Sequence, residues 1–143
     1  MNLIKTLSFA SCAFLILAPI VARADWTNYP IKGKFIHYSY EVLSGNKKGE
    51  KGGFMKLKLL SNYSKAQDVE IKNLSISYLS RVDYATVNCA EKSKQLQISA
   101  FELYEDADGK GWNYKGTPKK IKWDKVPKNS TLDSLLKDVC SGT

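Results

Sequence analysis

Cys89 lies at the joint between two stretches that read as β-strands, and the only other cysteine downstream of the leader, Cys140, stands close to the C-terminus. Residues 74–88 precede the joint and residues 94–105 follow it; both are rich in alternating apolar and β-branched residues. An exported chain with two cysteines is expected to oxidise them to a disulfide. The expected Cys89–Cys140 bond pins the C-terminal segment to the middle of a sheet. It closes a loop of about 52 residues and, by loop entropy, stabilises the fold by roughly 4 kcal/mol. That is a large share of the stability margin of a small domain.

The export assignment comes from residues 1–24. Lys5 supplies a short positive segment, 7–21 is apolar apart from Ser8, Ser11, Cys12 and Pro19, and Ala22-Arg23-Ala24 places small residues where a signal peptidase reads. This is the pattern of a cleaved signal peptide, with cleavage expected after Ala24. Lipidation at Cys12 is disfavoured, because the best apolar residues, 14–17, come after it. Residues 25–143 form the expected domain, long enough for one modest core. Its location is then the periplasm or the cell surface.

Of 22 Lys and Arg residues, Lys5 and Arg23 leave with the leader; 20 remain against 14 acidic residues, a mature net charge of +6. Arg81 is the only mature arginine. Readers of nucleic acid favour the arginine fork, so this lysine-dominated balance and the export route both argue against nucleic acid. A lysine-rich surface attracts acidic partners over a distance.

Along the domain, 34–42 alternates as a strand and 44–53 is a Gly- and Lys-rich hairpin loop carrying Lys47, Lys48 and Lys51. A second strand, 54–62, has Met55, Leu57 and Leu59 alternating with Lys56 and Lys58. Residues 63–73 read as a loop with a helical turn, and 74–89 as one bent strand or two short ones. Leu96, Ile98 and Ala100 alternate, after which Phe101 and Leu103 take over, a slip that a β-bulge near Ala100 explains. Residues 112–128, with Pro118 and Pro127 and apolar Ile121 and Trp123, fit an edge strand. Last, Ser130 and Asp133 resemble a capping box, and Leu132, Leu135, Leu136 and Val139 share one helical face that ends in Cys140. The expected fold class is α+β: an antiparallel β-sheet with a C-terminal α-helix tethered to it by the disulfide.

Several of these pieces also carry a family likeness. Asp83-Tyr84 leads to Asn88-Cys89; an alternating strand ends in Phe101-Glu102-Leu103-Tyr104; the glycine turn Asp108-Gly109-Lys110-Gly111 follows; then come Trp123, Val126-Pro127, Ser130 and a short helix closing on Val139-Cys140. In this order and spacing, from about Val82 to Cys140, the chain resembles the surface-adhesin protein E family of Gram-negative bacteria. The resemblance implies an antiparallel sheet tied to a C-terminal helix. It also implies an adhesin-like binding role, with host matrix or plasma proteins such as laminin, vitronectin and plasminogen as expected partners. The sequence departs from the named lipoprotein member in lacking a convincing lipobox.

Catalytic constellations are missing from the sequence. His37 is the sole histidine and has no nucleophile or base spaced around it. Asp106 and Asp108 have calcium-loop spacing, but Lys110 and Thr117 stand where further oxygen ligands belong, so a hairpin turn is expected and neither metal nor cofactor. The candidate binding residues are Lys115, Lys119, Lys120, Lys122, Trp123 and Lys125, with Lys128 and the aromatic Trp112 and Tyr114 nearby. Lysines interleaved with aromatics suit an acidic glycan or an acidic protein surface, though solubilising an edge strand is the commoner use of such lysines. The competing expectation is a periplasmic accessory or inhibitor protein with no host role. Inhibition of lysozyme is disfavoured, since two basic proteins repel.

Overall fold

The computed structural model describes residues 26–29, 36–45, 53–90 and 94–141. The leader with its cleavage point, Lys47, Lys48 and Lys51, and the connection at 91–93 lie outside the described residues. Among the described residues, seven strands and one α-helix, with a short 3-10 turn at Ala107–Gly109, follow in the order β1 (Thr27–Asn28), β2 (Ile36–Ser44), β3 (Phe54–Ile71), β4 (Leu74–Asn88), β5 (Gln95–Asp106), β6 (Lys110–Gly116), β7 (Asp124–Lys125) and α1 (Thr131–Ser141). All strands pair antiparallel with their sequence neighbours from β1 to β6, and β7 returns to pair with β5. The α+β expectation holds, disulfide included: Cys89 and Cys140 are bonded, with Cα atoms 5.5 Å apart.

The helix-facing side of the sheet follows from alternation. Met55 sits opposite Val87, and Val87 opposite Leu96; Leu57 sits opposite Ala85, and Ala85 opposite Ile98. Directly paired residues point to the same side, so these rows make one apolar surface. Leu135, Leu136 and Val139 of α1 pack on it. Leu57, Val87, Leu135 and Leu136 are completely buried, each contributing about 1.5–3 kcal/mol by burial. The N-terminal segment adds a tie, Tyr29 Oη donating to Asp138 Oδ2 at 2.9 Å.

The helix start is capped nearly as the sequence suggests. The Asp133 amide donates to Ser130 Oγ at 3.1 Å. The Asp133 carboxylate accepts from the Asn129 amide at 3.0 Å, one residue earlier than in the usual box, and from Lys137 Nζ at 2.6 Å. Asp133 is buried, and these bonds, Lys137 foremost, hold its carboxyl below the ordinary value.

Two expectations need correction. Residues 63–71 are strand, not a loop with a helical turn: β3 continues to Ile71 and turns back through Lys72 and Asn73, with φ of 51° and 64°. Two consecutive positive φ values define the tight turn that matches strand twist. Lys-Asn carries little of the Asn-Gly signal, which is why the turn is hard to read. The ladder skips from Asn62 to Gln67 on β3 while β4 advances only from Ser80 to Tyr78, a wide bulge that breaks the alternation. Second, 112–128 is not one edge strand. β6 ends at Gly116, Pro118 has no amide to donate, and pairing resumes only for the two residues of β7. Ile121 and Trp123 lie between and are exposed.

The bulge foreseen near Ala100 is present. Ile98 pairs with Ala85 and Ala100 with Tyr84, leaving Ser99 as the extra residue. Its hydroxyl donates to Tyr84 O at 3.1 Å. The 106–111 stretch is a turn, with Gly109 and Gly111 at positive φ. It folds back on the sheet: Asn62 donates to Asp108 Oδ1 at 2.9 Å, and Ser80 Oγ accepts from the Gly109 amide at 3.0 Å.

Candidate functional site

The outer edge of β5 is covered in two places only. β6 pairs with Phe101–Asp106 and β7 with Gln95–Leu96. The segment 117–123 bridges the gap as an irregular ribbon, and most of the candidate lysines ride on it. The ribbon's take-off is fixed by Gly116. A Cβ there would come within 2.7 Å of Phe101 Cζ, so only glycine lets the Phe101 ring lie against the strand end.

The six candidate residues lie on or beside this ribbon, with Lys115 on β6 and Lys125 on β7, and occupy different settings. Lys115 points to the sheet face away from the helix and bonds Glu102 at 2.9 Å. Lys119 lines a cleft beside it. Lys120 and Lys122 line a separate cavity of about 150 Å³ that also takes in Arg81. Trp123 stacks at 5.6 Å on Phe54, not on Trp112 or Tyr114, and both rings are exposed. Lys125 sits on β7, opposite Gln95. Lys122 is paired with Asp124 at 2.9 Å, an exposed contact. Among the described residues, Lys119, Lys120 and Lys125 have no acidic partner.

Arg81 is committed to the fold. It bonds Asp83 Oδ1 at 2.7 Å and lies 4.8 Å over the Phe101 ring. Asp83 is 6% exposed. Burial pushes its carboxyl above the ordinary value, and Arg81 offsets part of that rise.

The cleft beside Lys119 has a volume of about 730 Å³. Ten residues of straight strand would separate Leu74 from Tyr84 by about 33 Å. Yet residues 69–72 of the hairpin tip and Tyr84 line the same cleft. The long hairpin therefore curls, and the wide bulge at 62–67 is where its ladder is interrupted. Ala100, Phe101, Tyr114 and Pro118 complete the apolar part of the lining.

Glu102 forms one side of this cleft and is buried. It accepts from Tyr84 Oη at 3.2 Å, from Tyr104 Oη and from Lys115 Nζ. Burial alone pushes its carboxyl up, but the bonds from Tyr104, Lys115 and Tyr84 outweigh that and hold it below the ordinary value. The same contacts raise the Lys115 ammonium. The sequence offered no sign of this network, because Tyr84, Glu102, Tyr104 and Lys115 meet only once the register and the Ser99 bulge are known.

These features define a class: a small disulfide-clamped antiparallel meander whose edge presents cations, aromatics and a cleft. The family model of surface-adhesin protein E matches residues 34–141, and the chain belongs to that family. No curated protein and no solved structure matches the chain. Among the described residues, no helix is long and apolar enough to cross a membrane, and no cluster of three potential metal ligands occurs.

Proposed function

We propose that this protein is an exported, non-enzymatic adhesin-like protein that holds an acidic extracellular glycan along the ribbon from Lys115 to Lys125. The observation that carries the reading is the charge left over on this ribbon: Lys119, Lys120 and Lys125 lack acidic partners among the described residues, and the exposed Trp123–Phe54 pair lies beside them. Unpaired lysines supply long-range attraction, and exposed aromatic faces supply short-range contact. Family membership supports a surface-adhesin role. Host plasma or matrix proteins with acidic or lysine-recognising surfaces are the alternative partners.

The test is elution from immobilised heparin against a salt gradient. The native protein is expected to be retained, and Lys119→Glu/Lys120→Glu/Lys125→Glu to elute at distinctly lower salt. Retention unchanged by the triple charge reversal would refute the ribbon as the binding surface. A periplasmic accessory role is the second reading. Protease shaving of intact cells separates the two: a protein released only by osmotic shock and never cleaved on intact cells is no adhesin.

A further inference from the structure

We infer that the 730 Å³ cleft between the β3–β4 hairpin tip and the β5–β6 edge is a binding site for a small monoanion with an apolar body, such as an alkyl or aryl carboxylate. This site goes beyond the glycan reading and shares with it only Lys119 among the unpaired lysines, so failure of octanoate binding and failure of heparin retention are read independently. Its size falls within the roughly 300–1,000 Å³ of typical small-molecule sites. Its walls are also of the right kind. Val69 and Ile71 from the tip, Ala100 from β5 and Pro118 from the ribbon supply aliphatic surface, and the Tyr84 ring beside Glu102 supplies aromatic surface.

The charge pattern selects the head group. Three cations, Lys72, Lys115 and Lys119, line the cleft against two carboxylates, Glu70 and Glu102. Glu102 is already saturated by Tyr84, Tyr104 and Lys115, so it offers nothing to a cationic ligand. Lys72 and Lys119 have no acidic partner among the described residues and come to the lining from separate segments, one on the hairpin turn and one on the ribbon. A single negative charge entering between them completes the balance. A cationic head would meet two uncompensated ammonium groups.

The fold keeps the cleft open by specific means. The Ser99 bulge turns Ala100, not a larger neighbour, toward the cleft opposite Tyr84. A small side chain at position 100 leaves room that a larger one would fill.

The experiment is calorimetric titration of the mature protein with octanoate, 1-octanol and octylamine, three probes of one chain length and different charge. Octanoate is expected to bind most tightly and octylammonium least. Extending the chain from hexanoate to octanoate should tighten binding several-fold, since each buried methylene is worth up to roughly fourfold. Lys72→Glu/Lys119→Glu, both exposed positions, should weaken octanoate at least fivefold and leave octanol unchanged. Ala100→Phe should weaken both at least tenfold, with a thermal melt confirming that the variant is folded. The proposal is overturned if octanoate fails to bind at millimolar concentration. It is equally overturned if Lys72→Glu/Lys119→Glu leaves the octanoate-to-octanol ratio unchanged, or if folded Ala100→Phe binds as the native protein does. The last result would move the probe to another apolar surface, such as the Phe54–Trp123 pair.

Discussion

Removing the Cys89–Cys140 bond should cost the domain a defined amount of stability. The two cysteines are 51 positions apart. Constraining a loop of that size removes about 14 cal/mol/K of entropy from the unfolded chain, or roughly 4 kcal/mol at room temperature. The effect acts on the unfolded state, so the helix should remain docked in the native state of a Cys89→Ala/Cys140→Ala variant. Leu135, Leu136 and Val139 pack on the sheet in addition to the bond. Urea denaturation of the oxidised protein and the variant, followed by circular dichroism at 222 nm and by tryptophan fluorescence, measures the difference. With a urea slope of about 2 kcal/mol/M, the midpoint should fall by roughly 2 M. The melting temperature should fall by roughly 15 °C, at about 4 °C per kcal/mol for a domain of this size. A loss below about 1 kcal/mol would refute the reasoning. So would a helix signal that is lost before the sheet signal, since the bond would then be holding down a helix that packing alone cannot.

Other outcomes follow from the same geometry. Leu136→Ala opens a void in the completely buried helix–sheet interface and should cost about 3–4 kcal/mol in the same urea assay. Ser130→Ala removes the helix cap that receives the Asp133 amide and should cost about 1 kcal/mol. Asp133 has a folded-state pKa below its unfolded value of about 3.9, so its contribution is complete above that pH and is lost as pH falls through the depressed folded value. The urea midpoint should therefore drop as pH falls below about 4, and Asp133→Asn should flatten that drop. Asp83, raised by burial, acts with the opposite sign, because its protonation on acidification favours the folded state. Lys72→Asn/Asn73→Gly installs a residue pair suited to two positive φ values and should raise stability by up to about 1 kcal/mol.

What could be read in the sequence was whatever periodicity and chain ends encode. Met55, Leu57 and Leu59 alternate with lysines over a single strand, and the Leu132–Val139 stripe has one helical period, so both elements and their mutual packing were legible. The disulfide was legible because two cysteines in an exported domain leave one pairing. The slip at Ala100 was legible because a single extra residue moves Phe101 and Leu103 onto the helix-facing side in a predictable way. The bulge at 62–67 was not. Several β3 residues there face a single residue of β4, alternation is lost, and polar Ser64, Lys65, Gln67 and Asp68 look like a loop. That miss concealed the long hairpin, and with it the cleft.

The cleft and the lysine ribbon therefore differ in how they are encoded. The ribbon's charge is local: Lys119, Lys120, Lys122 and Lys125 lie within seven residues, and any conformation exposes them together. The cleft is assembled from residues as far apart as Val69 and Lys119, and it exists only because one bulge bends β3–β4 and another re-registers β5. Charge reversal on the ribbon should leave the fold untouched. Straightening the hairpin, by deleting Ser64-Lys65-Ala66 so that the ladder continues in register from Asn62, should abolish octanoate binding and leave heparin retention intact. Circular dichroism and the urea midpoint check that the shortened strand still folds. If octanoate binding survives in a folded deletion variant, the curl of the hairpin does not make the cleft. If heparin retention disappears with it, the two surfaces are one.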